Sequence, residues 1–421
     1  MKTNYKQSVS VILIILLFIG ITPLSFAKDN SNYITVNGVV KDQRSKKKLQ
    51  HVSISIPGTD IGTVTNADGE FSIKIKESLQ AKELEISHIG YANYRLPLHG
   101  SSIYNADIAL SANTNLLDEV VIQSLDPYIL VKEAVFKIDN NYTDQTNLFT
   151  GFYRETIQKR RNYINISEAI IDIYKTSYKT HDVETDRVQI LKGRKLISPK
   201  PNDTLIVKLQ GGPNLPVFAD VVKNPDIILS PNELHNYKFK MEEPAMIDER
   251  PHYVVSFAPA VVLPYPLYYG KLYIDKISLT FSRAEFNLSM DNKNKATQAI
   301  LKKKPFKLQF KPEEVSFLVN YKQRNGRSYL YYIRNTVRFK CDWKKKWIFA
   351  TGYTVTSETV ITDAKQDDIK NIPSKLAFKQ NQSLSDKVNN FYDPNFWEGY
   401  NIIEPTESLE SAVNKLRKQY D

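Results

Sequence analysis

Cysteine is all but missing: the 421 residues contain one, Cys341. No intrachain disulfide can form, so packing and polar pairing must hold the chain together. Glycine is sparse at 15, and only six histidines are present. The sequence has no Gly-x-Ser-x-Gly elbow, Walker loop, dinucleotide fingerprint or His-Glu-x-x-His, which removes the commonest hydrolase, nucleotide and zincin chemistries. After the first 27 residues no apolar run is long enough to cross a bilayer as a helix, and no series of ten-residue amphipathic membrane strands is evident.

The first 27 residues have their own layout. Lys2 and Lys6 precede an apolar run, Val11 to Ile21, followed by Pro23 and Ser25-Phe26-Ala27. This is the three-part pattern of a secretory signal peptide, with small residues where signal peptidase cuts. The run is about half a membrane span, and no Cys follows the cut, which argues against a lipid-anchored lipoprotein. The expectation is an exported chain beginning at Lys28, in the periplasm or associated with the outer membrane. No transmembrane segment is expected in it. Formal charge is +11, or +9 without Lys2 and Lys6. Outside the cytoplasm such a charge favours anionic envelope surfaces over nucleic acid. It is gathered in short clusters, Lys46-Lys47-Lys48, Lys159-Arg160-Arg161, Lys302-Lys303-Lys304 and Lys344-Lys345-Lys346, that read as hairpin turns or strand ends.

Tyr (25) and Phe (19) are abundant, and aromatic and β-branched residues suit pleated, half-buried surfaces. From Ile34 to Leu110 seven short alternating segments are expected as strands, separated by Pro57-Gly58-Thr59 and Asn66-Ala67-Asp68-Gly69 turns. The ordered set Gly38-Val39-Val40-x-Asp42, Val52-Ser53-Ile54, Pro57-Gly58-Thr59-x-x-Gly62-Thr63-x-Thr65-Asn66-x-x-Gly69-x-Phe71 and Ile89-Gly90-Tyr91 closely resembles the carboxypeptidase-regulatory-like domain. That resemblance implies a small transthyretin-like sandwich, without catalytic residues, acting in folding or docking. The following Leu116-Leu117-Asp118-Glu119-Val120-Val121-Ile122 is similar to the segment after this sandwich in TonB-dependent outer-membrane receptors. The roughly 300 residues that remain are too few for a receptor's plug and barrel.

Asp126-Pro127 predicts a helix start, with Val131, Ala134, Val135 and Ile138 forming one apolar stripe. A long hairpin is expected around Arg160-Arg161-Asn162, and then a run of strands to Thr356 with short polar turns. Among these, Phe306–Phe310 and Val315–Tyr321 read as two separate strands. Pro405-Thr406 opens a final helix with Leu409, Val413 and Leu416 on one face. The run containing Phe152-Tyr153-Arg154-Glu155 and Glu168-Ala169-Ile170-x-Asp172-Ile173-Tyr174 resembles a Bacteroidetes family of unknown function. Tyr269-Gly270-Lys271-Leu272-Tyr273-Ile274-Asp275 with Arg283-Ala284-Glu285-Phe286 resembles a hairpin of periplasmic lipoprotein carriers, which implies a curved sheet over an apolar cavity.

The fold expected is therefore mainly β: an N-terminal seven-stranded transthyretin-like β-sandwich plus a larger antiparallel β-sheet domain with a few helices. The divisions are 1–27 signal peptide, 28–111 sandwich, 112–126 linker and 127–421 sheet domain.

Candidate chemistry is thin. His181-Asp182-Val183-Glu184 has the His-x-x-Glu spacing of metallocarboxypeptidase zinc ligands, with His235 or His252 as a third. Against it, the stretch reads as a polar loop in a chain that lacks α/β alternation. Glu168 and Asp172 are the most suggestive carboxylate pair. Four residues apart on a strand is about 13 Å, wider than either glycosidase geometry. Asn66 and Asp68 read as turn formers sooner than calcium ligands, and Cys341 as an inert buried thiol. Aromatics in Pro264-Tyr265-Pro266-Leu267-Tyr268-Tyr269 suit either a glycan platform or a sheet edge. The function expected is a non-catalytic exported binding or accessory module at the periplasmic side of the outer membrane. No metal or cofactor is expected, and its partner would be an outer-membrane protein or a hydrophobic or glycan ligand. The alternative is an envelope hydrolase, either zinc peptidase or glycosidase.

Overall fold

The computed structural model describes residues 32–113, 125–203, 205, 207–209, 211–343, 350–365, 369–390, 393 and 395–419. The expected signal peptide, the Leu116–Ile122 segment and the Lys344–Lys346 cluster lie outside these described residues.

All seven front strands form: β1 (Tyr33–Asp42), β2 (Ser53–Ser55), β3 (Gly62–Val64), β4 (Glu70–Lys76), β5 (Glu83–Ser87), β6 (Tyr94–Pro97) and β7 (Ile103–Leu110). They pair as two sheets, β4-β1-β7 and β3-β2-β5-β6. Alternation in β1 and β4 turns Val36, Val40, Phe71 and Ile73 inward against Ile54, Leu84 and Ile86, as a period of two requires. Gly69 closes the β3–β4 turn at φ +71°, where a Cβ would lie 2.7 Å from the Val40 carbonyl oxygen. Only glycine fits there.

The helix after the sandwich, α1 (Pro127–Phe136), is capped by Asp126, whose carboxylate accepts from the Tyr128 and Ile129 amides. Leu130, Val131, Ala134 and Val135 are buried, at roughly 2 kcal/mol for each of the larger side chains. A single turn, α2 (Ile138–Asn141), follows it.

The larger body is one broad sheet. Its strands are β8 (Asn147–Lys159), β9 (Asn162–Lys175), β10 (Arg187–Ile197), β12 (Tyr237–Ile247), β13 (Arg250–Pro259), β14 (Tyr268–Asp275), β15 (Phe281–Leu288), β17 (Leu308–Arg324), β18 (Arg327–Trp343) and β19 (Thr351–Lys365). Between them, β11 (Lys208–Leu209) and β16 (Leu301–Lys303) make a separate two-stranded pair, and β20 (Asn389–Asn390) adds in parallel to β10. The sheet order is β12-β13-β14-β15-β17-β18-β19-β8-β9-β10-β20. The meander thus runs antiparallel in chain order and is then closed by the earlier β8–β9 hairpin lying beside β19.

The two strands expected at 306–310 and 315–321 are one. Pro312 interrupts the ladder, the register shifts between Pro312 and Glu314, and β17 continues beyond the bulge to Arg324.

Both faces of this sheet are covered. On one lie α1, α2, the segment 211–236 containing α3 (Leu215–Phe218), and α4 (Lys293–Ile300). On the other sit the sandwich and the C-terminal segment, which ends in α5 (Glu407–Arg417) packed through Leu409 and Leu416 on Ile166 and Leu196.

The 211–236 segment has little regular structure and is fastened by charge. Asp220 is fully buried and accepts from Tyr178 Oη (2.7 Å), Tyr321 Oη (2.7 Å) and Lys175 Nζ (2.9 Å). Burial first, and the Asp220 charge second, hold the phenols of Tyr142, Tyr178 and Tyr321 well above their usual range, so they remain donors. Among the described residues no helix is long and apolar enough to cross a membrane.

Candidate functional site

Strand alternation decides where polar groups collect. In β18 the odd residues Ile333, Val337 and Phe339 enter the apolar cores. Tyr332, Arg334, Thr336 and Arg338 therefore share the opposite face. Arg154, Thr156 and Gln158 of β8 and Thr354, Thr356 and Glu358 of β19 come level with them through the ladder. The sandwich and the C-terminal segment stand at the sides of this polar surface. Between them is an open basin of about 950 Å³, whose walls include His51, Arg154, Arg283, Arg334, Arg338 and Glu404.

Most of the arginines are paired. Arg154 lies 2.7 Å from Glu168 and 3.7 Å from Glu358, Arg283 lies 2.6 Å from Glu285, and Arg338 lies 3.2 Å from Glu314. Arg334 differs. Its Nη1 donates to His51 Nε2 at 2.9 Å, and its Nε is buried with no hydrogen-bond partner. A guanidinium has no proton to lose and no lone pair to offer, so His51 Nε2 must be the acceptor and the ring is neutral. Burial and then the Arg334 charge push the His51 pKa well below its ordinary value. Burial and then Arg283 lower His88 to about 4.

These two sandwich histidines make the structure acid-sensitive. Unfolded chains bind a proton at each ring below about pH 6.5, whereas folded His88 resists until about pH 4. The unfolded state therefore holds more protons in that window, and stability falls as the pH drops through it. We expect a loss of roughly 3 kcal/mol from His88 between neutrality and about pH 4. Urea midpoints across this range, for the parent and for His88→Gln, measure it. A variant as acid-sensitive as the parent would remove His88 from the account.

The junction itself is polar and specific. Lys322 Nζ donates to Ser55 Oγ (2.6 Å), Tyr331 Oη to the Thr63 carbonyl (2.6 Å), and Thr63 Oγ1 to the Ile402 carbonyl (2.7 Å); Arg324 pairs with Asp60. Asn66 and Asp68 are used in the same way. Asn66 Oδ1 accepts from the Asp68 and Glu70 amides, closing the turn, and its Nδ2 donates to the Pro405 carbonyl. Asp68 Oδ2 accepts from the Glu407 amide at the start of α5 (2.9 Å).

The other candidates fall apart in space. His181 pairs with Asp139 at 2.9 Å. His252 is buried on β13 between the Arg250 carbonyl (2.8 Å) and Ser282 Oγ (2.7 Å), and His235 lies in a 3₁₀ turn. Among the described residues no three His, Cys, Asp or Glu come together in a way that could hold a metal ion.

Glu168 is buried between Arg154 and Arg194. Its Oε1 accepts from Arg154 and its Oε2 from Arg194. Burial alone would raise this carboxyl, but the two guanidiniums overcome it and hold it below the usual range. Asp172, raised by burial and partly offset by Thr150, shares no partner with it. Burial pushes the Cys341 thiol up to about 11, where it is a poor nucleophile. Tyr268 meets Phe286 and Phe317 edge-on, while Tyr265 and Tyr269 remain exposed.

On the opposite face a smaller cavity of about 330 Å³ has Ile157, Ile164, Val207, Val337 and Val355 in its wall beside Glu155. Burial raises the Glu155 carboxyl, and a hydrogen bond from Tyr153 offsets part of that rise.

The basin was missed in the sequence because its walls come from residues as far apart as His51 and Glu404. A partial signal was present: Arg154-x-Thr156-x-Gln158, Arg334-x-Thr336-x-Arg338 and Thr354-x-Thr356-x-Glu358 are polar at every second position, although Glu155 and Asn335 blur the alternation with Ile157, Val337 and Val355.

Comparison with known proteins locates the front of the chain. Residues 36–122 match the family model of the CarboxypepD_reg-like domain. TonB-dependent receptor SusC of Bacteroides thetaiotaomicron is 32% identical over 121 residues, 29% of this chain and 11% of the receptor. TonB-dependent receptor P3 of Formosa agariphila is 27% identical over 119 residues, 28% of this chain and 11% of the receptor. The chain thus spans about a tenth of the length of these relatives. Among solved structures, a DUF1329 family protein from Desulfovibrio piger is 12% identical at a TM-score of 0.27, covering 60% of this chain and 100% of its own. A LolA superfamily protein from Nitrosomonas europaea is 14% identical at 0.22, covering 59% and 97%. Likenesses at this level are too loose to define a shared fold. The front of the chain, residues 36–122, is a carboxypeptidase-regulatory-like domain.

Proposed function

We propose that this protein is a non-catalytic binding or accessory module of the cell envelope, and that its ligand site is the basin between the sandwich and the sheet. The observation that carries this is Arg334, a guanidinium with a buried, unpartnered Nε at the wall of a 950 Å³ basin. A buried donor without a protein acceptor is costly, which favours a ligand acceptor at this wall. With Arg283 and Arg161 on the same surface, the fitting ligand is polar and bears carboxylate or phosphate oxygens, an acidic glycan being the class that suits an envelope setting. The carboxypeptidase-regulatory-like domain and its receptor relatives support the envelope setting. The pairing of Glu168, Asp172, His181 and His252 with structural partners supports a role without catalysis.

Calorimetric titration of the chain with oligogalacturonate tests the reading. Binding is expected in the parent, weakened about thirty-fold in Arg334→Met. No heat with this probe and none with inorganic phosphate would remove the basin as an oxyanion site. A second reading, a hydrophobic ligand, is favoured by the apolar wall of the 330 Å³ cavity. Palmitate titrated in parallel, binding when neither oxyanion probe does, would move the site there.

A further inference from the structure

One end of the large sheet carries a group of cations of which Arg161 alone also lines the basin. The ladder aligns the start of β17 with the end of β18, and the start of β19 with the end of β8, so the 301–308 connection and the β8–β9 turn lie at this same end. About three strand spacings separate them, roughly 14 Å. Arg160, Arg161, Lys303 and Lys307 are all exposed here, and among the described residues no carboxylate pairs with any of them. The nearby acids Asp203 and Glu313 already have lysines of their own, Lys159 and Lys340. Lys302 and Lys304 turn their amines back to the Gln380 and Leu308 carbonyls. That leaves Phe306 at the tip, 94% exposed, the most exposed of the large apolar side chains described.

A lone exposed phenylalanine is unremarkable. One flanked in sequence by unpaired Lys303 and Lys307 on an exposed connection is a different object. Its ring has no protein surface to cover, and the charges around it would repel another basic surface but match an anionic one. We infer that this end of the sheet is a docking tip for an anionic lipid surface, with Phe306 entering the headgroup region and Lys303, Lys307, Arg160 and Arg161 lying against lipid phosphates. Each basic side chain near such a surface strengthens binding about five-fold, so four together suffice for reversible, salt-sensitive attachment without an anchor. Phe306, Lys303, Lys307 and Arg160 lie outside the basin wall: the tip would set where the protein sits, the basin what it holds.

Vesicle co-sedimentation of residues 28–421 tests this, the apolar Val11–Ile21 run being left out so that it cannot itself partition. Vesicles with about one-third phosphatidylglycerol in phosphatidylcholine are expected to retain the protein, and raising salt to about 0.5 M to release it. Phe306→Ser should weaken binding about ten-fold. A Lys303→Glu, Lys307→Glu, Arg160→Glu variant should lose at least a hundred-fold, with its thermal unfolding and its calorimetric response to oligogalacturonate unchanged. Equal retention by pure phosphatidylcholine vesicles, or by the triple variant, would overturn the inference. So would tighter binding to duplex DNA than to the anionic vesicles, which would make the tip a general polyanion site.

Discussion

Replacing Asp220 by Ala is expected to destabilise the fold by about 3–5 kcal/mol. The carboxylate is fully buried and receives an ammonium and two phenol hydroxyls. Removing it leaves Lys175, itself 1% exposed, with only the more distant Asp186 carboxylate, at 3.6 Å, to offset its interior charge. The Tyr178 and Tyr321 hydroxyls lose their acceptor at the same time, each costing about 1–3 kcal/mol before relaxation. The loss should appear in equilibrium urea unfolding as a lower midpoint. Lys175→Met introduced into the Asp220→Ala background should recover part of it, because the stranded charge is then gone. A loss below about 1 kcal/mol would mean that water reaches the network and that charge does not fasten the 211–236 segment.

Glu168→Ala should cost a comparable amount, about 3–5 kcal/mol, for a different reason. Glu168 separates two arginines that the ladder places directly beside it on β8 and β10. Arg154, 4% exposed, also donates to the carbonyls of Ile403 and Glu404. Arg194 lies over the Trp397 ring at 4.8 Å, and that ring meets Phe152 edge-on. Without the carboxylate the two guanidiniums repel across the middle strand and the C-terminal segment loses the donors that hold it. Limited proteolysis should therefore cut within 395–417 in the variant sooner than in the parent, alongside the lower urea midpoint. An Arg154→Met, Glu168→Leu double variant should recover stability only in part, since the two carbonyls remain unmet. Full recovery would mean that the ion group contributes nothing to tail docking.

These two networks show where a single sequence stops being informative. The seven strands of the sandwich, the Asp126 cap of α1 and the apolar stripe of α5 were legible because each rests on residues close in sequence. Turn chemistry at Asn66–Gly69 and periodicity at Leu409 and Leu416 need no knowledge of the rest of the chain. The pairing of β8 with β19 was not legible, since two strands 200 residues apart carry no local mark of adjacency. Lys175 and Asp220 read as ordinary surface charges until the fold buries them against each other. The expected apolar hollow under a curved sheet is largely filled by core side chains, and the larger space lies on the other face and is polar. The strands expected at 306–310 and 315–321 left Pro312 between them, where a proline would remove a ladder donor. The fold absorbs it with a bulge instead.

The capping of α5 by Asp68 has a consequence in time. A residue of the front domain stabilises the first turn of the last helix, and Asn401 exchanges hydrogen bonds with the backbone of Lys74. During synthesis the sandwich can fold early, from its own 80 or so residues, but Asp68, Asn66 and Lys74 meet their partners only when residues near 400 have arrived. Until then one wall of the basin, including Glu404 and Thr406, does not exist. If the basin holds the ligand as proposed, a chain interrupted before residue 404 would lack that wall and should bind more weakly than the parent.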